Sequence, residues 1–249
     1  MSTIRNYLPY DHVKDNIPEC KDSINHWLEL VKRTTSNQRE FILYLFNLEN
    51  SNIELLEPYF NQEFANKLKR IDNGKHQARF NDNPFTLYSP QSRNLSIRDD
   101  TSCIAVYVEQ ANLFALEDER HMKEILLIPW LNINEYPSFQ KASKQFNTDE
   151  DFCSIEPNYN LDKTFLTEFH KIVESTPVTE KSLSQHIGSP NDISRIKQGL
   201  KKIRQMQGLI VPQKDDLIGY LIYEYKNSKT GHKGCTFDNA KLIVRYLNE

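Results

Sequence analysis

The sequence has little glycine and no long apolar run. Glycine occurs only seven times in 249 residues, which argues against the glycine-rich loops that hold phosphates in nucleotide-binding motifs. The most apolar run, residues 125–131, is broken by Pro129 and is far shorter than the roughly 20 residues of a membrane-spanning helix. No charged and then apolar leader opens the chain. We therefore expect a soluble cytoplasmic protein, or a nuclear one in a eukaryote, with no membrane partner.

Cysteine is also scarce and widely spaced. The chain has four cysteines, and no two of them have the two-to-four residue spacing of a zinc site: Cys20, Cys103, Cys153 and Cys235. Cys103 or Cys153 would be a nucleophile only with a histidine beside it in space, and a buried structural thiol is the simpler interpretation of each. We expect reduced, mostly buried thiols and no cofactor.

Residues that could hold a metal ion are few. Glu117, His121 and Glu124 would share one helical face at steps of four and three, and two carboxylates with an imidazole suit a divalent ion. A charged, exposed helix with internal ion pairs explains the same spacing, and this is the interpretation that we favour. The sequence therefore predicts no metal site.

No spacing in the sequence forces several acids and bases to converge on a catalytic site. Asp99 and Asp100, ahead of a strand ending in Glu109, resemble the acid pattern of restriction-type nucleases. However, Ala111 stands where that chemistry uses a lysine to activate water. We expect no catalytic residues, and a metal-dependent nuclease with a site not visible in the sequence remains an alternative.

The most specific pattern in the chain predicts three helices and a strand over residues 161–212. Six apolar residues at steps of three to five predict the first helix, which Pro177 ends: Leu161, Phe165, Leu166, Phe169, Ile172 and Val173. Thr179 caps a short second helix that Gly188 ends, and Ser189 with Pro190 begins the third. The third helix has its apolar face on Ile193, Ile196, Leu200 and Ile203.

A tight turn between the last two helices and a strand at residues 210–211 complete this pattern. The segments 182–190, 193–195 and 206–210 resemble the winged helix-turn-helix superfamily over about a fifth of the chain. The resemblance implies a winged-helix fold, and some members bind DNA while others serve only to dock proteins. Function therefore does not follow from the resemblance alone.

The exposed face of the third helix is basic. Residues 161–214 carry nine basic and five acidic side chains, a net charge of +4, whereas the whole chain carries −3. Attraction to nucleic-acid phosphates is one explanation of this local excess, and a lysine-rich solvated face is the other. The predicted DNA-binding residues are Asn191, Ser194, Arg195, Lys197, Gln198, Lys201, Lys202, Arg204 and, at a basic wing tip, Lys229 and Lys233.

The remainder of the chain predicts an α+β fold. After an arm at residues 1–18, helices are predicted from Asp22 or Ser23, from Ser36 through Leu48, and near 52–59, 62–71 and 111–124. Between them, residues 79–109 carry short strand patterns with loop signals, which are typical of a small antiparallel sheet, and 125–128 add another strand.

The predicted domains are an α+β domain at 1–132, a connecting segment at 133–160 and a winged-helix-like domain at 161–249. Aromatic residues at 136, 139, 146 and 152 are candidates to anchor parts of the connecting segment. Residues 217–225 fit either a wing strand or a helix, and we favour a long wing hairpin that extends through Thr236. A last helix begins at Asp238.

Two non-enzymatic functions agree with these features. The first is a protein that binds duplex DNA through the basic winged helix and recruits or senses a partner through its N-terminal domain. The second is a protein-docking accessory subunit of a DNA-maintenance or anti-phage defence complex, by analogy with the accessory subunits of chromosome-organising ATPase complexes. A protein partner or a homo-oligomer fits either function.

Overall fold

The computed structural model describes residues 3–8, 17–33, 41–46, 48–72, 75–90, 101–119, 122–130, 133–148, 158–175, 190–226, 235 and 237–249. Contacts divide the chain into a first unit, Met1–Glu156, and a second unit, Pro157–Glu249. Across the described ranges, no helix combines the length and the apolar character that a bilayer crossing requires.

The first unit is built on a mainly parallel sheet. Its strands are β1 (Ile4–Tyr7), β2 (Phe41–Leu45), β3 (Ile71–Asp72), β4 (Lys75–Phe80), β5 (Asn83–Tyr88), β6 (Ser102–Val106), β7 (Glu124–Ile128) and β8 (Lys144–Gln145). Their order across the sheet is β3-β4-β5-β2-β6-β7-β1-β8. The six strands from β5 to β8 in this order are parallel, whereas β4 is antiparallel to β5 and the short β3 pairs only with β4.

Short and medium helices connect these strands. They are α1 (Ile17–Arg33), α2 (Asn50–Glu54), α3 (Gln62–Leu68), α4 (Gln110–Glu119), α5 (Pro137–Lys141) and a 3₁₀ turn, Ile133–Glu135. The start of α3 is capped, since the Asn61 side chain accepts a hydrogen bond from the Phe64 amide at 2.7 Å. On α1, Trp27 is fully buried and its ring centroid lies 6.3 Å from that of Phe41 in β2. Part of the core therefore forms between α1 and the centre of the sheet, and buried residues of α2 and α3 belong to the same core.

The predicted small antiparallel sheet is wrong, because the central sheet is larger and mainly parallel. Every residue of β2, β6 and β7 is buried, as expected of strands covered on both faces, so these strands lack an alternating pattern. The helix predicted from Ser36 through Leu48 is also wrong, because its apolar centre forms β2. Likewise, the arm predicted at residues 1–18 contains β1, whereas the helices predicted from Asp22 and at 62–71 are present as α1 and α3.

The predicted connecting segment, 133–160, contains ordered elements of the first unit. The 3₁₀ turn, α5 and β8 lie within it, and β8 pairs with β1. Tyr136, Phe139 and Phe146 are buried, as their aromatic character suggested, whereas Phe152 lies outside the described residues.

The second unit consists of helices in its described residues: α6 (Lys163–Ser175), α7 (Pro190–Gln205), α8 (Lys214–Tyr223) and α9 (Phe237–Asn248). The Asp162 carboxylate caps α6 by accepting a hydrogen bond from the Phe165 amide at 2.9 Å. On α7, the predicted core residues Ile196, Leu200 and Ile203 are all fully buried. Helix α7 contacts both α6 and α9, and α8 also packs on α9.

The predicted C-terminal winged helix is wrong as a fold. Within 158–175, 190–226 and 237–249 there is no strand, so the strand predicted at 210–211 is absent. The favoured wing hairpin at 217–225 is instead α8, with Leu217 and Leu221 buried one helical turn apart. Asp215 and Asp216 lie in its first turn, where the helix dipole favours carboxylates. The predicted second helix, 179–188, lies outside the described residues.

Gly199 lets α6 and α7 approach closely. A Cβ atom at this position would lie 2.4 Å from Cγ2 of Ile172 on α6, a separation that forces the helices or the branched side chain to move. We expect Gly199→Ala to destabilise the second unit by about 1–3 kcal/mol from overpacking, although alanine is the better helix former. Thermal unfolding followed by circular dichroism measures this effect. Ser194→Ala on the exposed face of α7 is the control, and equal melting temperatures for the two variants would contradict the close approach.

Candidate functional site

Helix α7 presents a polar and basic face away from its buried side. Ile196, Leu200 and Ile203 hold the helix against its neighbours, so residues on the opposite side are fixed towards solvent. This exposed side, named here the basic face, consists of Ser194, Arg195, Gln198, Lys201 and Lys202. Helix α7, which carries the basic face, is a regular helix of 16 residues and is about 24 Å long.

Two further cations at the border of the basic face are held by α9. Lys197 Nζ lies 3.5 Å from Glu249 Oε2 and 4.4 Å from the ring centroid of Tyr246. Arg204 Nη1 donates a hydrogen bond to the Asn248 carbonyl oxygen at 2.8 Å. Lys197 and Arg204 are exposed, but an external anion would have to compete with these intramolecular partners.

The three cations of the basic face itself are free of ion pairs within the described part of the chain. Arg195 and Lys202 are seven residues apart, two helical turns on the same side, and Lys201 lies next to them. No acidic residue occurs between Asp192 and Asp215. These three side chains therefore provide positive charge that a phosphate can approach.

The structure brings together most, but not all, of the residues predicted to bind DNA. The five residues of the basic face share one surface, with Lys197 and Arg204 at its border. Asn191 belongs to the first turn of α7, but the structure describes only its backbone. Lys229 and Lys233 lie outside the described residues, and the wing tip on which they were predicted belongs to a fold prediction that is wrong.

Among the residues that the structure describes, no group of histidine, cysteine, aspartate and glutamate side chains is placed to hold a metal ion. Glu124 is buried in β7 and accepts a hydrogen bond from the Ser102 hydroxyl at 2.5 Å. The side chain of Glu117, together with His121, Asp99 and Asp100, lies outside the described part of the chain. Cys103 is buried in β6, as expected of a structural thiol.

A second candidate site lies at the carboxyl edge of the sheet. Strands β2 and β6 are neighbours in the sheet. The chain after β2 runs through β3 and β4 to β5, on the side of β2 away from β6, whereas the chain after β6 runs to β7, on the side of β6 away from β2. In open α/β sheets, ligands bind outside the carboxyl ends of the strands where the connections diverge in this way. A cleft of about 670 Å³ occupies this place.

The walls of this cleft are mainly aromatic. Phe46 follows β2, Tyr107 follows β6, Trp130 follows β7 and Tyr136 precedes α5. The Trp130 and Tyr107 rings meet edge to face with centroids 4.8 Å apart. Tyr107 has a φ of +56°, which is rare for a residue with a side chain. Its hydroxyl hydrogen-bonds to the Tyr59 hydroxyl, and its amide donates to the Ile128 carbonyl at 3.0 Å.

Polar groups of the cleft come from the start of α4 and from the turn before α5. Glu109 and Glu135 are exposed and Asn112 is half-buried. Gln110 accepts hydrogen bonds from the Ser138 and Phe139 amides and so joins the two segments. These residues complete a cleft built from separate loops.

Tyr136 is a fixed part of the cleft wall. Its hydroxyl donates a hydrogen bond to the Val108 carbonyl oxygen at 2.7 Å. Burial, with a further contribution from Glu135 and Glu109, raises the pKa of Tyr136 to about 12. The hydroxyl therefore stays protonated near neutral pH and keeps this hydrogen bond.

The sequence analysis did not identify this cleft. The available signal was an aromatic residue at or just after the end of three buried strands: Phe46 after 41–45, Tyr107 after 102–106 and Trp130 after 124–128. This signal becomes meaningful only once these strands are known to be parallel neighbours, because their carboxyl ends then meet at one edge.

A polar chain also joins α6 and α8 in the second unit. His170 Nε2 lies 2.7 Å from the Tyr220 hydroxyl, and His170 Nδ1 lies 3.5 Å from Glu174 Oε1. Burial is the main cause that raises the pKa of the Tyr220 hydroxyl, which disfavours the nucleophilic phenolate. This chain connects two helices and does not have the features of an activated nucleophile.

Comparison of the chain with protein-family models, with curated proteins and with solved structures finds no match. These comparisons therefore neither support nor refute the resemblance of residues 182–210 to winged helices. Any function assigned to the chain must come from the chemistry of its own sites.

Proposed function

We propose that the protein binds duplex DNA without cutting it, through the basic face of α7, and that its first unit recruits or senses a partner. The observation that carries this proposal is the exposure, on one helix face, of Arg195, Lys201 and Lys202 without ion pairs among the described residues. A regular helix held from behind by α6 and α9 is a shape that the major groove of DNA admits.

The chemistry of the basic face predicts strong backbone contacts and weak base discrimination. Arginine and lysine at these positions neutralise phosphates and release counterions, so affinity falls as salt rises. Ser194 and Gln198 are the remaining side chains of the face, and serine is a poor reader of bases compared with arginine on guanine. If all three free cations engage phosphates, the slope of log affinity against log salt is about −2.7.

Reversing two charges on the basic face tests the proposal. We expect Lys201→Glu combined with Lys202→Glu to weaken binding to every duplex alike, and to reduce the steepness of the salt slope by about 1.8, because two of the three contributing cations are lost. Fluorescence anisotropy with two 20-base-pair duplexes of unrelated sequence, titrated at several salt concentrations, measures both quantities.

The matched control changes the same charge elsewhere in the second unit. Lys163→Glu combined with Lys241→Glu alters exposed residues on α6 and α9, and we expect it to retain most of the binding. Equal loss in both double variants would show that net charge alone attracts DNA, whereas unchanged binding in the α7 variant would overturn the proposal. Cleavage of the duplex in the presence of Mg²⁺ would overturn its non-enzymatic part.

A protein-docking subunit is the second candidate, and one observation favours it. Met206 and Ile210, just beyond α7, are large apolar side chains that are 42% and 71% exposed, and apolar side chains grouped at a surface are typical of protein-docking sites. A docking surface centred there would include the end of the basic face. Wild-type protein that binds neither duplex at low salt would favour this second candidate.

A further inference from the structure

The position and size of the cleft in the first unit are those of a ligand site. It lies where the connections after β2 and β6 diverge, which is the usual place for ligands in open α/β sheets. Its volume of about 670 Å³ falls within the range of roughly 300–1,000 Å³ typical of small-molecule pockets. The loops that form it follow four neighbouring parallel strands.

The cleft exposes aromatic surface that a ligand could cover. Trp130 is 41% exposed and Phe46 is 37% exposed, although neighbouring residues in the strands are fully buried. The edge-to-face contact of Trp130 with Tyr107 fixes the orientation of the indole. Faces of Trp, Tyr and Phe rings carry negative electrostatic potential and attract cations within about 6 Å of the ring centroid.

The charged side chains of the cleft are negative, like the electrostatic potential of the ring faces. Glu109 and Glu135 are exposed carboxylates, and the lining residues within the described ranges include no lysine, arginine or histidine. The amino end of α4 would by itself favour an anion. However, the Glu109 carbonyl accepts the first helical hydrogen bonds, from the amides of Asn112 and Leu113. Glu109 is therefore the residue at the amino end of α4, and its carboxylate places negative charge there. A phosphate or carboxylate ligand would meet repulsion there.

We infer that the cleft binds a small organic cation, either an alkylamine or a quaternary ammonium compound, between the aromatic rings of Phe46 and Trp130 and the carboxylates of Glu109 and Glu135. The rings attract the alkylated cationic group and the carboxylates balance its charge. A neutral ligand of the same shape would gain only the apolar contact. This inference is independent of DNA binding by α7, because all of its residues lie in the first unit.

The two tryptophans allow a direct measurement on the full-length protein. Trp27 is fully buried, whereas Trp130 is in the cleft. After labelling with 5-fluorotryptophan, ¹⁹F NMR gives one resonance for each residue, and Trp130→Phe assigns them. We expect choline to shift the Trp130 resonance in a saturable manner and to leave that of Trp27 unchanged. Its uncharged isostere, 3,3-dimethylbutan-1-ol, should bind at least about fivefold more weakly.

Paired variants separate the charge from the shape of the cleft. Glu109→Gln combined with Glu135→Gln should weaken choline binding at least about fivefold while leaving the isostere unaffected. The matched control, Glu29→Gln combined with Glu63→Gln, removes two exposed carboxylates from α1 and α3 outside the cleft lining. We expect this control to bind choline like the parent protein.

Three results would overturn the inference. The first is the absence of any Trp130 shift with up to about 50 mM choline or spermidine, because an affinity below that limit is too weak for a cation–π site. The second is equal affinity for choline and its isostere. The third is tighter saturable binding of adenosine than of either cation. The last result would identify the cleft as a nucleoside site. An intact Trp27 resonance in each variant shows that the first unit remains folded.

Discussion

Leu200→Asp is expected to unfold the second unit. Leu200 is fully buried on α7, which packs between α6 and α9. The change removes a leucine side chain from the core, at a cost of about 2–5 kcal/mol, and adds the larger cost of burying a carboxylate without a partner. Together these costs are comparable with the whole stability of a typical domain, about 5–15 kcal/mol.

Circular dichroism and tryptophan fluorescence measure this effect separately for the two units. Both units contain helices, so partial loss of the helical signal at low temperature together with unchanged tryptophan emission reports unfolding of the second unit, because Trp27 and Trp130 both belong to the first unit. Gln198→Asp, two residues away on the exposed face, introduces the same charge into the same helix and should melt like the parent protein. A Leu200→Asp variant with a parental melting curve would show that the core assignment is wrong.

Phe85→Ala is expected to cause a large loss of stability in the first unit. Phe85 lies in β5 and is 1% exposed. Its ring stacks on Phe41 with centroids 5.2 Å apart and meets Phe60 and Phe64 edge to face at 5.8 and 5.5 Å. Truncation of such a buried ring costs about 3–5 kcal/mol, since it leaves a cavity and removes three aromatic contacts.

Urea unfolding followed by tryptophan fluorescence measures this loss, because Trp27 is packed beside Phe41. Phe85→Leu fills much of the same volume and should lose less stability than Phe85→Ala. Phe46→Ala makes the same chemical change at a residue that is 37% exposed, so its effect should be smaller still. Equal effects at positions 46 and 85 would contradict the role assigned to the aromatic core.

The sequence predicted the helices better than the sheet. Amphipathic spacing correctly located α1, α3, α6, α7 and α9, and it placed Ile196, Leu200 and Ile203 in the core. The same approach assigned β2 to a helix, because its residues Phe41–Leu45 are apolar at every position and carry no period. Which strands are neighbours depends on contacts between distant residues, and local pattern contains no information about those contacts.

A similar division applies to the candidate sites. The basic face could be predicted because all its residues belong to one helix, whose geometry follows directly from the sequence. That Lys197 and Arg204 are held by the end of α9 could not be predicted, since their partners lie 52 and 44 residues away. The aromatic cleft was missed for the same reason, because its walls come from loops that only the parallel sheet brings together.

The position of β1 inside the sheet has a consequence for the order of folding. This strand lies between β7 and β8, and Ile4 is in register with Glu124. A ribosome must therefore synthesise at least 124 residues before the first strand can pair with β7, and 145 before its pairing with β8 is complete. Sheets closed by such distant contacts fold more slowly than helical units. Until then the edges of β1 and β7 remain unpaired, and unpaired strand edges are sites of aggregation during synthesis.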